Sequence, residues 1–136
     1  GFFETDDYQS CLDSLQPLVQ SGVKLIAVLF AEYDYPDSLI TLIADSGFYG
    51  LMIDTAHKNG ETFMRYIPDE KMKGLSAQIL EQGLVFGLAG SLKLEHVAKV
   101  KQYNPDYIGF RGGVSVHLQR NMELDGEKVR AVSKPK

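Results

Sequence analysis

The chain has 136 residues, enough for one domain, and its 44% hydrophobic and 24% charged residues are typical of a globular protein. Its formal net charge of −4 argues against nucleic acid as a partner, which would call for a basic face, and no apolar run approaches the roughly 20 residues that cross a membrane. The single cysteine, Cys11, cannot form an internal disulfide and the start shows no signal-peptide pattern, so we expect a cytoplasmic protein.

Segments with the patterns of strands and helices alternate along the chain. Residues 1–3 resemble the end of a strand, and apolar residues at helical spacing over 8–19 predict a helix that Pro17 should kink. Continuous apolar runs then predict strands at 24–30, 50–53, 84–89 and 107–110. Further patterns predict helices over 36–47, 68–82 and 93–103, a short turn within 62–67 and a weak final helix over 127–132.

This order, one helix followed by four strand–helix units, predicts an α/β fold with a parallel sheet. Four such units are about half of a (β/α)8 TIM barrel, which needs roughly 250 residues. We therefore expect residues 1–136 to form a single half-barrel domain. Because four strands alone would leave two unpaired edges and an open apolar interior, we also expect a partner chain or a second copy of this chain to cover them.

The strand over 50–53 is followed by two residues that could carry chemistry, Asp54 and Lys58. Active sites in α/β folds lie at the carboxyl ends of parallel strands. A buried carboxylate four residues from an amine can exchange protons with a bound sugar or aldehyde, and a buried lysine can form a Schiff base. The same spacing would also suit a solvated salt bridge across a loop.

Glycine-containing turns follow the last two predicted strands and point to a phosphate site: Gly90-Ser91 and Arg111-Gly112-Gly113. In barrels, the loops after the last two strands often bind phosphate through glycine N–H groups, and an arginine adds a bidentate positive charge. The alternative is that both segments are simply tight turns.

The remaining polar residues carry weaker signals. His57 could relay protons between the acid and the amine, whereas His96 falls in a helix pattern and His117 in a polar loop. These histidines share no metal-ligand spacing and one cysteine is too few for zinc, so we expect no metal site and no cofactor. Three residues after the strand over 24–30 could touch substrate, although such residues are common in surface loops: Glu32, Tyr33 and Asp34.

Three motifs stand in a recognisable order, at residues 52–60 (Met-Ile-Asp-Thr-Ala-His-Lys-Asn-Gly), 88–92 (Leu-Ala-Gly-Ser-Leu) and 106–112 (Asp-Tyr-Ile-Gly-Phe-Arg-Gly). In this order and spacing they resemble the (5-formylfuran-3-yl)methyl phosphate synthase family, and the resemblance extends from residue 1 to about residue 120. It implies a (β/α)8 enzyme of methanofuran biosynthesis. Such an enzyme condenses two molecules of glyceraldehyde 3-phosphate, with loss of phosphate and water, through lysine chemistry and an aspartate for proton transfer.

The resemblance also implies roles for single residues. Asp54 and Lys58 match the family's catalytic aspartate and lysine, and four residues match its phosphate-side loops: Gly90, Ser91, Arg111 and Gly112. Arg120 matches the arginine of a further loop motif whose acidic residue has no counterpart here. The family's other active-site lysines lie in the first half of the barrel and are absent from this sequence.

We therefore interpret the chain as the carboxyl-terminal half of such a barrel, carrying part of the site of a lyase or synthase and inactive alone. Its partners would be a triose phosphate substrate and either the missing amino-terminal half or a second copy of the chain. The alternative is a non-catalytic phosphosugar-binding or assembly half-barrel that dimerises, so that two copies close eight strands.

Overall fold

The computed structural model describes residues 7–110 and 113–118, together with the backbone of residues 129–133. Five α-helices and six β-strands lie within these residues: α1 Tyr8–Ser14, α2 Gln16–Gln20, β1 Ile26–Phe30, α3 Leu39–Asp45, β2 Gly50–Asp54, α4 Asp69–Glu81, β3 Val85–Leu92, α5 Val97–Val100, β4 Tyr107–Phe110, β5 Val114–Leu118 and β6 Val129–Ser133. Short 3₁₀ turns are present at Phe63–Arg65, Leu94–His96 and Lys101–Tyr103, the first of which confirms the turn predicted within 62–67. The strand end predicted over residues 1–3 lies outside the described residues.

The six strands form one sheet in chain order, with β1 at one edge and β6 at the other. Parallel pairing joins β1 to β2, β2 to β3 and β3 to β4, which confirms the predicted α/β class and the four predicted strands. Phe30 stands opposite Asp54, and Ile53 stands opposite Leu88. The carboxyl ends of β1, β2 and β3 therefore lie side by side, and we call this edge of the sheet the carboxyl rim.

The last part of the sheet departs from the predicted repeat, because β5 and β6 extend it in antiparallel pairing. The final helix predicted over 127–132 is wrong for residues 129–132, which belong to β6, and residues 127 and 128 lie outside the described residues. The β-branched residues Val129 and Val132 favour a strand once an antiparallel neighbour is available. His117 lies in β5 rather than in a loop, within a run that alternates apolar and polar residues as a strand with two different faces does. The half-barrel and its completion by a partner stay predictions.

The helices follow their predicted positions, with local breaks. The first helical segment divides at Leu15 into α1 and α2, and Pro17 lies in the first turn of α2, where its missing N–H leaves no helical hydrogen bond unmade. α4 begins directly after Pro68 with two acidic residues in its first turn. The segment predicted as one helix over 93–103 contains the four residues of α5 between two 3₁₀ turns and ends at Asn104, whose φ of 55° is left-handed. None of the helices in the described part of the chain is long and apolar enough to cross a membrane.

The sheet has one covered face and one open face. Alternate strand residues such as Leu29 and Leu51 are buried in one core with apolar residues of the helices. Residues of the opposite parity point to the other face, where Ile26 is 49% exposed and Met52 is half-buried. Asp54, two residues after Met52 on β2, lies on this open face as well.

Candidate active site

Asp54 and Lys58 meet at the carboxyl rim. Asp54 is the last residue of β2, and the Lys58 Nζ lies 3.5 Å from its Oδ1. The same ammonium donates a hydrogen bond of 2.6 Å to the carbonyl oxygen of Thr55, whose own N–H donates to Asp54 Oδ1 at 2.7 Å. The structure thus brings the predicted acid and amine together as an ion pair held by a tight turn.

The two members of this pair differ in exposure. The side chain of Asp54 is 24% exposed and that of Lys58 is 67% exposed. The described residues therefore shield the carboxylate and leave the amine in solvent, which differs from the buried lysine that Schiff-base chemistry favours. An exposed ion pair adds at most about 1 kcal/mol to stability, so little of the fold depends on this one.

Glu32 ties the turn after β2 to the end of β1. Its two carboxylate oxygens accept the backbone N–H groups of Ala56 at 2.9 Å and of His57 at 2.8 Å. Partial burial by itself raises the pKa of Glu32, but these two N–H donors and the nearby His57 outweigh burial, and the pKa lies below its ordinary value. From the sequence Glu32 is a candidate substrate contact, whereas the structure directs its carboxylate at the neighbouring turn. The sequence signal for this role is only its place two residues after a strand.

Thr55 and Gly90 bring the ends of β2 and β3 into close contact. Thr55 is fully buried, and a Cβ on Gly90 would lie 2.8 Å from its Cγ2 and 2.9 Å from its Oγ1. Gly90 has a φ of +105°, and Ser91 follows with a φ of +58°. Both lie in a bulge in which β3 and β4 shift register near Gly109. Gly90 and Ser91 are therefore at the carboxyl rim, one strand away from Asp54.

The described residues contain part of the predicted phosphate site. Gly90 and Ser91 lie beside the turn after β2 through the contact with Thr55. Gly113 has a φ of +82° between β4 and β5, and nothing described lies within 4 Å of the place a Cβ would take. The other predicted phosphate residues lie outside the described residues: Arg111, Gly112 and Arg120.

Two of the histidines have structural contacts away from the ion pair. His96 Nδ1 accepts the backbone N–H of Lys93 at 2.9 Å, and the ring centroid of His117 lies 4.7 Å from that of Tyr107. Within residues 7–110 and 113–118, no group of three or more histidine, cysteine, aspartate or glutamate side chains is close enough to hold a metal ion.

A largely apolar cavity of about 80 Å³ lies on the other side of the sheet, against α3 and α4. Its lining includes Leu29, Ile40, Ile53 and Leu75. Leu29 and Ile53 belong to the covered face, and Phe30 of the same lining stands opposite Asp54 at the carboxyl rim.

Comparison with known proteins identifies the family. Residues 1–133 match the family described as 4-HFC-P synthase. The chain is 30% identical over 132 residues to the (5-formylfuran-3-yl)methyl phosphate synthase of Methanococcus maripaludis and 29% identical over 131 residues to that of Methanothermobacter thermautotrophicus, covering 89% of this chain and 56% of each relative. A Methylorubrum extorquens protein that bears the same name provisionally is 38% identical over 110 residues, which are 81% of this chain and 47% of the relative.

The chain thus spans about half the length of the curated relatives it matches. The match to the family covers almost all of this sequence and agrees with the three motifs at residues 52–60, 88–92 and 106–112. The chain belongs to the 4-HFC-P synthase family.

Proposed function

We propose that this chain carries half of the active site of a (5-formylfuran-3-yl)methyl phosphate synthase, a lyase that condenses two molecules of glyceraldehyde 3-phosphate for methanofuran biosynthesis. The observation that carries the proposal is the approach of Lys58 Nζ to within 3.5 Å of Asp54 Oδ1 at the carboxyl rim. The names of its relatives support the synthase activity and its product.

Lys58 is the nucleophile in this proposal. Its uncharged amine attacks the aldehyde carbon of one triose phosphate, a C–N bond forms, and the carbonyl oxygen leaves as water to give a protonated Schiff base. Asp54 is within reach to take one proton from the Lys58 ammonium before the attack and to return it to the departing oxygen, so that the three ammonium protons end as two on water and one on the Schiff base. The Schiff base acidifies the neighbouring carbon, and Asp54 takes the proton from that carbon to give an enamine. The enamine then forms a C–C bond to the aldehyde carbon of a second triose phosphate, whose carbonyl oxygen receives the proton from Asp54.

Phosphate is held at the bulge in the last part of β3. The N–H groups around Gly90 and Ser91 can approach an anion because no Cβ stands at Gly90. In the proposal, the guanidinium groups of Arg111 and Arg120 add the positive charge that stabilises the substrate and the phosphate that leaves. The further members of this phosphate site in the proposal are Arg111, Gly112, Gly113 and Arg120.

The other half of a (β/α)8 barrel would cover the open face. Two observations support this: Ile26 is 49% exposed there, and the chain matches only 47% to 56% of the length of the three relatives named above. Covering the face would also bury the amine of Lys58, and burial disfavours the charged form of an amine. In a closed barrel, a strand of the other half would pair in parallel with the free edge of β4. In this structure β5 is paired with that edge, so closing the barrel would require β5 to move away from β4.

The test compares the chain alone with the chain mixed with the amino-terminal half of the Methylorubrum extorquens relative, both supplied with glyceraldehyde 3-phosphate. We expect furan absorption in the ultraviolet from the mixture, and a borohydride-trapped adduct on Lys58 located by peptide mass spectrometry. Lys58→Ala and Asp54→Asn should lower product formation by about a hundredfold or more. Lys24→Ala is the matched control, because it removes an exposed lysine just before β1, and it should leave product formation unchanged. A folded mixture that gives neither furan nor adduct contradicts the proposal.

A second candidate is a non-catalytic phosphosugar-binding or assembly half-barrel that dimerises. The exposed Ile26 on the open face favours it, because two copies would bury that face against each other. Light scattering and phosphate binding separate the two functions. A dimer that binds phosphate without forming the Lys58 adduct supports the second candidate and contradicts the enzyme.

A further inference from the structure

The connection between β1 and β2 continues beyond the two strands. The N–H of Ala31 donates to the carbonyl oxygen of Asp54 at 2.8 Å, which extends the pairing by one residue. The carboxylate of Glu32 then accepts the N–H groups of Ala56 at 2.9 Å and His57 at 2.8 Å. The Glu32 side chain thus continues the link between β1 and β2 beyond the last backbone hydrogen bond, the one from Ala31 to Asp54.

These bonds hold consecutive backbone donors of the turn after β2. The N–H of Thr55 is bound by Asp54, and the next two N–H groups are bound by Glu32. In the trans peptide between Thr55 and Ala56, the carbonyl oxygen of Thr55 points away from the N–H of Ala56. This oxygen accepts a hydrogen bond from Lys58 Nζ at 2.6 Å. The same Nζ reaches Asp54 Oδ1 at 3.5 Å. The shape of the turn therefore determines where the amine lies.

A carboxylate suits this position better than an amide. Each oxygen of Glu32 accepts one N–H, whereas a glutamine would offer one acceptor oxygen and would point its NH₂ group at the second N–H. Bonds from N–H groups to a carboxylate are also stronger than those to a neutral acceptor. With both oxygens bonded to backbone N–H groups of the turn, Glu32 acts on the chemistry through the turn that carries Lys58.

We infer that Glu32 is a positioning residue, whose carboxylate holds the turn after β2 in the shape that sets the Lys58 amine against Asp54. The chemical meaning of this role rests on the proposed function. The geometry can be tested separately, because it concerns where the amine lies and not what it reacts with.

Glu32→Gln in the 136-residue chain tests the geometry by NMR. We expect hydrogen exchange at the two amides that Glu32 binds to become about tenfold faster. The Lys58 Nζ resonance should move toward its value in Asp54→Asn. The matched control is Glu61→Gln, because Glu61 is an exposed glutamate of the following loop whose carboxylate makes no hydrogen bond or ion pair with a described residue. Unchanged exchange, or an unmoved Lys58 resonance, overturns the inference.

Reactivity separates positioning from a merely structural role. In the mixture of this chain with the amino-terminal half of the Methylorubrum extorquens relative, the borohydride-trapped triose phosphate adduct on Lys58 is measured relative to that on Lys24 of the same chain. Glu32→Gln should lower this ratio about tenfold, and it should have no further effect in an Asp54→Asn background, where the amine has lost its partner. A ratio that stays constant while the two amides exchange faster contradicts the inference. Equal reactivity of Lys58 and Lys24 in the wild type would contradict the proposed function instead, and the NMR comparison would still decide the role of Glu32.

Discussion

The hydroxyl of Tyr103 donates a hydrogen bond of 2.5 Å to Asp69 Oδ1 and so joins the 3₁₀ turn after α5 to the first residue of α4. Asp69 also pairs with Lys73 at 3.1 Å and with Lys99 at 3.3 Å. The bond from Tyr103, together with those from the two lysines, lowers the pKa of Asp69 to about 2. Burial and the same bond raise the pKa of Tyr103 to about 12. This cluster fastens two helical segments to each other.

Asp69 should make stability depend on pH at the acid end. Because its pKa is lower in the folded chain than its ordinary 3.8, its contribution is fully present above that pH and is lost as the pH falls toward about 2. Tyr103→Phe keeps the buried ring and removes the largest cause of the shift. We expect urea midpoints of this variant to fall less steeply than those of the wild type between pH 4 and 2. Tyr49→Phe, at an exposed tyrosine, is the control, and equal slopes for Tyr103→Phe and the wild type would refute this account.

Gly90 should be the glycine at the carboxyl rim that least tolerates a side chain. Gly90→Ala combines a left-handed φ of +105° with a Cβ only 2.8 Å from Thr55 Cγ2. Gly22→Ala is the matched control, because Gly22 has a φ of +90° and nothing described within 4 Å of its Cβ position. We expect Gly90→Ala to lower the free energy of unfolding by about 1–3 kcal/mol more than Gly22→Ala. Equal losses in chemical denaturation would mean that the contact with Thr55 does not constrain this position.

Asp106 should contribute to stability through the amino ends of β3 and β4. It is 9% exposed, its Oδ2 accepts the N–H of Phe86 at 2.8 Å, and its carbonyl oxygen accepts the N–H of Leu118 at 2.7 Å. Asp106→Ala removes the acceptor of a buried N–H and should lower the free energy of unfolding by about 1–3 kcal/mol. Asp45→Ala, at an exposed aspartate of α3, should change it by less than about 0.5 kcal/mol. Denaturation curves that coincide for the two variants would argue against this role.

Ile26 tests whether the open face is covered in an assembly. Since Ile26 is 49% exposed, Ile26→Lys should leave the chain alone folded, with nearly unchanged stability. The same change should weaken association with the amino-terminal half, or with a second copy, by about tenfold or more, because the charge would be buried unpaired. Leu94→Lys, at a leucine that is 83% exposed in a 3₁₀ turn, is the control. Association that both variants leave intact, measured by light scattering or calorimetry, would place the interface elsewhere.

Features that depend on neighbouring residues could be predicted from the sequence. The four parallel strands follow from continuous apolar runs, in which the residues on the open face are apolar as well as those on the covered face. Asp54 and Lys58 meet because one turn separates them, so the spacing of four residues almost suffices. The break between α1 and α2 could also be predicted from the sequence, because Pro17 has no backbone N–H to donate within a continuous helix.

Contacts between distant segments were decided only by the tertiary structure. Glu32 and His57 are 25 residues apart, and their bond exists because parallel pairing places the ends of β1 and β2 side by side. Position 90 has no room for a side chain, because the bulge in β3 places its backbone against Thr55. No local sequence pattern near Gly90 or Thr55 indicates this contact. Likewise, β6 is a strand because β5 offers it backbone partners, and that long-range pairing outweighs a weak local preference for helix. The sequence by itself determined which residues end the parallel strands, and the sheet decided which of those ends touch.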